Sequence, residues 1–473
     1  MRSIKWELTK KCNLRCSHCY YYDSNPSDKD IDPETAKKIV DNLARLDYEN
    51  IILSAKEPFL YDHFFELLYY IKEKGLHVSL NTNGTSMKEE DIRRLIGDKL
   101  VGIFTIGLDG ICEESNSFLR GKGSFYKSLN TIETINRIRG RKKRPKISVN
   151  YTFNNRNIGE VTDVIPFFAE KRIDILNVSY VSSVGNAEKN DTNSKLTNLM
   201  DVYETIAEKY KEYGIPFHLN LIGCPPFLLS YYNLKYGLRF RIRYGVCTLG
   251  DHGFFIDSQG IAHGCEMLSN YDKQEDFVTK GPKVDITQLE TDYIFSSEQL
   301  RFMKSLKDVK YEYCKDCELQ DLCKPCPIVP KKSIQRPFLI SCYESKEKLM
   351  KEREAFINSI NDDSKTEFYR DIKHEPGDCA LTLTVISHRG ISKVKYKLSK
   401  TDELIYHSLM QSNTVSDAVK NVKKQINEDE QVIKSKLCRF LLFFAERGYL
   451  RLTKPDDMQS RHERTEAMEG YLC

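Results

Sequence analysis

"KKCNLRCSHCYYYD", residues 10–23, sets Cys12, Cys16 and Cys19 at C-x3-C-x2-C spacing, with His18 directly before the third cysteine. The stretch follows a strand-like run, "SIKWEL" (3–8), and precedes a helical one. Zinc sites take four protein ligands, which here would be Cys12, Cys16, His18 and Cys19, but adjacent His18 and Cys19 make an awkward tetrahedron. Iron–sulfur cubanes take thiolates, normally four. Three cysteines on one loop would leave one iron open to a small molecule carrying an amine and a carboxylate.

Outward from this loop, strand-like runs and helical patterns alternate. The runs are "NIILS" (50–54), "HVSLN" (77–81), "VGIFTIGLD" (101–109), "KISVNYTF" (146–153) and "DILNVSYV" (174–181). Between them lie helical stretches near 61–74, 88–95, 125–136 and 160–171. The first helix shows its start: Asp32 as N-cap, Pro33 at the first position, and Ala36, Ile39, Val40 and Leu43 on one face. Six strands separated by helices predict a parallel α/β sheet with right-handed crossovers. A partial (β/α)6 barrel and a doubly wound sheet both satisfy the pattern.

The 473 residues suit about three domains. The hydrophobic fraction of 40%, the charged fraction of 30%, the net charge of +4 and the pI near 8.2 are those of an ordinary globular protein. No run reaches the ~18 apolar residues of a membrane span, and the N-terminus shows no signal-peptide core, so a cytoplasmic location without membrane contact is expected. Fifteen cysteines in a reducing compartment point to metal rather than disulfides. The basic stretch "RIRGRKKRPK" (137–146) reads as a solvated loop, and nucleic acid is not expected as a partner.

The cysteine loop behind the first strand resembles the radical S-adenosylmethionine (SAM) superfamily. The resemblance implies a partial TIM-like barrel and a [4Fe–4S] cluster on Cys12, Cys16 and Cys19. SAM would chelate the open iron and be cleaved reductively to a 5′-deoxyadenosyl radical. It places His18 by the adenine. "AKEP" (55–58) stands where the family has Gly-Gly-Glu-Pro: Glu57 and Pro58 match, both glycines are replaced, and with them goes the close backbone approach that glycine allows. "NTNG" (81–84), with Thr82 and Asn83, resembles the ribose-side segment. "GLDG" (107–110) keeps Asp109 and loses a serine. "LRGKGSF" (119–125), Asn150 and "VGNA" (184–187) fit the peptide-modifying branch, although Asn150 also reads as a satisfied polar residue in a sheet.

From about residue 247 to 342 the chain is loop-rich and carries seven cysteines. "CTLGDHGFFIDSQGIAHGC" (247–265) and "CKDCELQDLCKPC" (314–326), then Cys342, resemble the SPASM domain with its two auxiliary [4Fe–4S] clusters, making three clusters in all. By position, one auxiliary cluster takes Cys314, Cys317, Cys323 and Cys342. The other takes Cys247, Cys265 and Cys326, completed by Cys224 or left open to a substrate thiolate. The family's last spacing is x3, whereas here it is x2. Taken alone the region suits a zinc ribbon or treble-clef module equally well, since C-x2-C pairs serve zinc as they serve iron. Cys112, Cys379 and Cys438 read as ordinary thiols, and Cys473 closes a polar tail.

The expected organisation is a radical SAM barrel (1–195), a helical bridge (196–240), a SPASM domain (241–345), a helical linker (346–377), a small winged-helix-like α+β domain (378–455) and the tail (456–473). The small domain reads as a hairpin around residues 388–390, three helices and a closing strand. It is similar to the peptide chaperone of pyrroloquinoline-quinone biosynthesis, whose relatives bind a precursor's leader peptide as an added strand, typically ahead of the barrel rather than behind it. The resemblance as a whole implies an oxidoreductase that matures a ribosomally made precursor peptide, with a reductase, flavodoxin or ferredoxin as electron donor. A Cys thioether crosslink is the leading product, ahead of carbon–carbon crosslinking, epimerisation and formylglycine formation. A zinc-containing winged-helix DNA-binding regulator is the reading from another class.

Overall fold

A computed structural model describes residues 2–21, 30–181, 185–190, 199–242, 255–263, 266, 284–285, 316–320, 322–323, 336–369, 372–377, 380–387 and 390–453. Seven parallel strands follow one another in chain order: β1 (Ser3–Trp6), β2 (Asn50–Leu53), β3 (His77–Thr82), β4 (Ile103–Gly107), β5 (Lys146–Phe153), β6 (Ile175–Tyr180) and β7 (His218–Leu221). Before β1 the sheet continues through β8 (Phe255–Ile256), β9 (Ile261–His263) and β10 (Val284–Asp285), so β10 and β7 are its edges. An ordered march of parallel strands with one face under helices is the partial barrel; a doubly wound sheet would reverse its strand order part-way.

The six strands read from the sequence are all present, and β7 adds a seventh from the stretch read as a helical bridge. Four residues, "HLNL", are too short for periodicity to declare.

The crossover helices are α1 (Pro33–Arg45), α2 (Phe64–Glu73), α3 (Glu89–Gly97), α4 (Glu113–Arg120), α5 (Ser124–Arg139) and α6 (Val164–Glu170). After them come α7 (Asn186–Lys189), α8 (Leu199–Glu212) and α9 (Pro226–Tyr236). In α1 the Asp32 carboxylate accepts the Thr35 N–H at 3.0 Å, and Ala36, Ile39, Val40 and Leu43 are fully buried. Truncating Leu43 to Ala would cost about 2–5 kcal/mol.

One sheet face, with Ile4, Trp6, Ile51, Leu53, Val78, Leu80, Phe104, Ile106, Ile147 and Val149, forms the core with the helices. The other face is mostly polar, with Asn50, Ser54, Ser79, Asn81, Thr105, Ser148, Asn150, Asn177 and Asn220 beside three isoleucines, Ile52, Ile103 and Ile175. A packed TIM barrel fills that side with branched apolar residues. Here it lines a space suited to a polar occupant.

A second core belongs to the C-terminal unit. Helix α10 (Arg336–Ser359) leads into β11 (Lys365–Phe368), then the meander β12 (Ile372–Gly377), β13 (Ala380–Ser387) and β14 (Gly390–Lys397). Helices α11 (Lys400–Gln411), α12 (Val415–Lys423) and α13 (Glu430–Glu446) follow, and β15 (Leu450–Thr453) pairs with β11. The hairpin, the three helices and the closing strand stand where the sequence sets them. Two further strands come from the stretch read as linker. Helix α13 buries Ile433, Leu437, Phe440, Leu441 and Phe444, so its apolar face is spent on this core.

The unit is clamped to α9. Asn233 Nδ2 donates to the carbonyls of Phe240 (2.8 Å) and Glu446 (3.0 Å), and its Oδ1 accepts the Phe240 N–H (2.8 Å). Gly448, at φ +71°, lies so close that an added Cβ would stand 2.6 Å from the Phe240 carbonyl. Among the described residues no helix is long and apolar enough to cross a membrane.

Candidate active site

The cysteine loop sits at the C-terminal ends of the strands, tied down by four different elements. The Glu57 N–H, after β2, donates to the Lys11 carbonyl (3.1 Å). Asn83, after β3, donates through Nδ2 to Asn13 Oδ1 (2.8 Å), and Asn13 Nδ2 donates to Thr85 Oγ1 (2.7 Å). The Ser17 N–H donates to the Leu119 carbonyl in α4 (2.8 Å). The Asn186 N–H, after β6, donates to the Cys19 carbonyl (2.8 Å). Gly185 packs flat on this stretch; a Cβ there would stand 2.3 Å from the Tyr20 carbonyl oxygen.

All three cysteines are partly exposed and lie within electrostatic reach of one another. Burial pushes the Cys16 thiol up to about 12, although the Arg120 guanidinium pulls it down, and burial raises Cys12 too. Thiols in that state become thiolates when a cationic metal centre binds. Among the described residues no three His, Cys, Asp or Glu groups converge on a point that one ion could fill. Three thiols on one loop, within electrostatic reach of one another, are the donor type an iron–sulfur cluster takes. His18 is not aimed at the sulfurs: its Nε2 lies 3.1 Å from Asp109 Oδ2. Its Nδ1 is buried without a hydrogen-bond partner, a polar atom left over for a bound group.

Asp109, fully buried at the end of β4, also accepts Arg120 Nε at 2.5 Å and the Thr152 N–H at 2.8 Å. Burial works against its charge, but Arg120 and His18 hold the carboxyl well below the usual range. The glycines of "GLDG" make room for this network. A Cβ on Gly107 would stand 2.3 Å from the Arg120 guanidinium, and one on Gly110 would stand 2.5 Å from the Asn116 nitrogen. Arg120 was not singled out from the sequence, although it lies within the quoted "LRGKGSF".

The replaced glycines of "AKEP" resolve physically. Ala55 and Lys56 both adopt the left-handed backbone, at φ +68° and +46°. The chain keeps the glycine-type turn and carries its steric cost, about 1–2 kcal/mol per residue. Lys56 Nζ stands 5.7 Å from the centre of the Tyr21 ring. Glu57 is fully buried; its carboxylate accepts the Thr82 hydroxyl (2.7 Å), the Asn83 N–H (2.8 Å) and the Phe59 N–H (3.4 Å). Burial outweighs these bonds and pushes Glu57 up to about 7. Pro58 is buried at the start of a single 3-10 turn. Glu57, Thr82 and Asn83 thus form one knot beneath the loop.

Asn150 belongs to a ladder. Asn220 Nδ2 donates to Asn177 Oδ1 (2.8 Å), and Asn177 Nδ2 donates to Asn150 Oδ1 (2.9 Å), in register across β7, β6 and β5. The satisfied-sheet reading of Asn150 holds alongside any role toward a ligand.

Two buried carboxylates lie at the same end of the sheet. Glu266 accepts from Lys5, Tyr20, Tyr21 (3.3 Å) and Ser54 (3.2 Å). Burial opposes its charge, yet Lys5 and the hydroxyls hold it lowered. Glu7 is raised by burial, with Lys10 as its counter-ion at 2.8 Å. Tyr20 and Tyr21 therefore join the cysteine loop to Glu266, a residue the sequence reading passed over. Its only signal was its place directly after Cys265.

Cys224 is buried, and beyond burial the neighbouring Cys323 raises its thiol. Cys317, Cys323 and Cys342 are partly buried against the main core. Cys247, Cys265, Cys314, Cys326, Cys379, Cys473, Tyr22 and the 388–389 turn lie outside the described residues.

Residues 6–165 match the family described as the Radical SAM superfamily. The match covers about a third of the chain. The chain is similar to the Fe-coproporphyrin III synthase of Methanosarcina barkeri, 29% identical over 173 residues, 36% of this chain and 41% of the synthase. It is 34% identical over 135 residues to the antilisterial bacteriocin subtilosin biosynthesis protein AlbA of Bacillus subtilis, 28% of this chain and 29% of AlbA. The aligned stretches thus span less than half of either relative. Among solved structures, Streptococcus suis SuiB bound to precursor peptide SuiA superposes with a TM-score of 0.55 at 17% identity, covering 69% of this chain and 71% of SuiB. At that identity the likeness speaks for the fold alone.

Proposed function

We propose that this chain is a radical SAM enzyme that modifies a ribosomally made precursor peptide. The observation that carries the reading is the three-cysteine loop pinned to the ends of β2, β3 and α4 and to the turn after β6, above a polar sheet face. Cys12, Cys16 and Cys19 would hold a [4Fe–4S] cluster, and SAM bound to it supplies a 5′-deoxyadenosyl radical that removes hydrogen from a substrate carbon. The Glu57–Thr82–Asn83 knot, His18 and Asp109 frame the SAM site. Asn150 and its ladder line the polar face on the substrate side. Glu266, held below the usual carboxylate range by Lys5 and its hydroxyl donors, anchors the Tyr20–Tyr21 end of the cysteine loop.

Support for a peptide substrate comes from AlbA and SuiB, whose names tie them to a bacteriocin and a precursor peptide. The C-terminal unit then serves as the leader-peptide site, raising the effective concentration of the core peptide at the barrel mouth. A Cys thioether is the product we assign, with SPASM-type auxiliary clusters on Cys247, Cys265, Cys314, Cys317, Cys323, Cys326 and Cys342, and Cys224 beside them. A flavodoxin or ferredoxin is the expected reductant, and the cytoplasm the expected compartment.

The test is anaerobic. Reconstituted protein given SAM and reductant is expected to yield 5′-deoxyadenosine, and Cys16→Ala none, with iron content lower by one cluster. With a Cys-bearing precursor, a product two hydrogens lighter supports the crosslink, and an unchanged mass indicates epimerisation. Iron-free protein, or no 5′-deoxyadenosine, overturns the proposal.

A further inference from the structure

Strand β14 is an edge: in the order β12-β13-β14 its described partner is β13 alone. Its two faces differ sharply. Lys393, Lys395 and Lys397 alternate along one face and all are exposed. Across the sheet, Lys393 pairs with Thr384, Lys395 with Thr382 and Lys397 with Ala380, so no carboxylate on β13 answers them. Thr384 in turn faces Lys373 on β12, a fourth exposed cation on that surface, while Thr382 faces Glu375, an exposed carboxylate one strand removed from the β14 edge. On the opposite face Val394 and Leu398 are only half-buried, and Tyr396 packs on Phe443 of α13 with ring centres 5.4 Å apart. Phe443 is itself half-buried, under the Arg447 guanidinium.

An incoming antiparallel strand meets both faces at once, because its side chains alternate as those of β14 do. Residues of one parity stand opposite the lysines. Residues of the other parity lie over Val394, Leu398 and Phe443. From this we infer that the occupant of the β14 edge is an extended segment alternating acidic and apolar residues. It adds by main-chain hydrogen bonds and is held in register by cross-strand charge pairs. The inference rests on the proposed leader-peptide role of this unit and gives that leader its chemistry. The competing account of the lysines is that they guard the edge against self-association.

Fluorescence anisotropy on the full chain separates these accounts. The probes are three labelled synthetic dodecapeptides. One alternates Glu with Leu or Val, one has the same composition with the glutamates gathered in a block, and one has Gln in place of Glu. The alternating acidic peptide is expected to bind at least tenfold more tightly than the other two and to weaken as salt rises. The K393Q/K395Q/K397Q variant is expected to cost it about tenfold, the loss of three cross-strand pairs.

If the Gln peptide binds as well as the Glu peptide, the acidic preference is overturned while the strand-adding leader site stands. Equal binding of the blocked peptide overturns the alternation. If no peptide binds and a leader-bearing precursor does not bind either, the leader-peptide reading itself falls. If the lysine variant self-associates with peptide affinity unchanged, the lysines are edge guards and the inference is wrong.

Discussion

The buried Glu57 carboxyl makes a pH-dependent contribution whose sign can be checked. In the folded chain it titrates at about 7, against 4.5 for an ordinary glutamate. Between those values the folded protein keeps a proton that the unfolded chain has released. Stability from this group is therefore highest below pH 4.5 and falls as pH rises to 7, by about 3 kcal/mol in total. Glu57→Gln removes the titration. It also leaves one carbonyl oxygen where two oxygens accept the Asn83 and Phe59 N–H groups, so one backbone donor loses its acceptor, a pH-independent cost of about 1–3 kcal/mol. The variant should thus be less stable than the parent at pH 4.5 and should gain on it steadily up to pH 7.5. Melting temperatures of the metal-free proteins across that range would show the gap moving by about 6–12 °C, taking roughly 2–4 °C per kcal/mol for a domain of this size. All other titrating groups cancel in the difference. A gap that stays flat, or that widens against the variant as pH rises, refutes the assignment of a raised carboxyl at Glu57.

Replacing the left-handed pair, A55G/K56G, should raise the melting temperature, since both residues carry positive φ at a cost of about 1–2 kcal/mol each. A fall would show that the Lys56–Tyr21 contact outweighs the backbone term. Gly107→Ala should displace Arg120 and leave Asp109 buried without its main counter-ion, costing about 3–5 kcal/mol in chemical denaturation. Arg120→Met should match it, and the double variant should be no worse than either. Asn233→Ala leaves three buried backbone groups unpaired, a loss of about 3 kcal/mol. Limited proteolysis should then cut between the barrel and the C-terminal unit under conditions that spare the parent.

Much of the barrel was readable because its signals are local. "NIIL" and "KISVNYTF" are apolar runs bounded by turns, and Asp32-Pro33 announces α1. The short C-terminal strands were hidden for the same reason inverted: "KTEF" and "IKHEPG" are charged or broken by Pro and Gly, and only pairing makes them strands. The cysteine loop was legible as a spacing. What surrounds it was not, because Arg120, Glu266 and the Asn150–Asn177–Asn220 ladder meet only through tertiary register. A trace of the ladder does exist: each of its strands carries an Asn between two apolar residues, as in "VNY", "LNV" and "LNL".

The Asn233–Gly448 clamp has a metrical consequence. The Asn233 contacts fix the C-terminal unit on α9, so on the proposed reading a peptide anchored along β14 would start from a fixed point relative to the barrel. The anchor would then act as a ruler, with the modified position set by residue count rather than by the sequence around the reacting carbon. Lengthening the peptide between anchor and target by a few residues should shift the modified position by that same number.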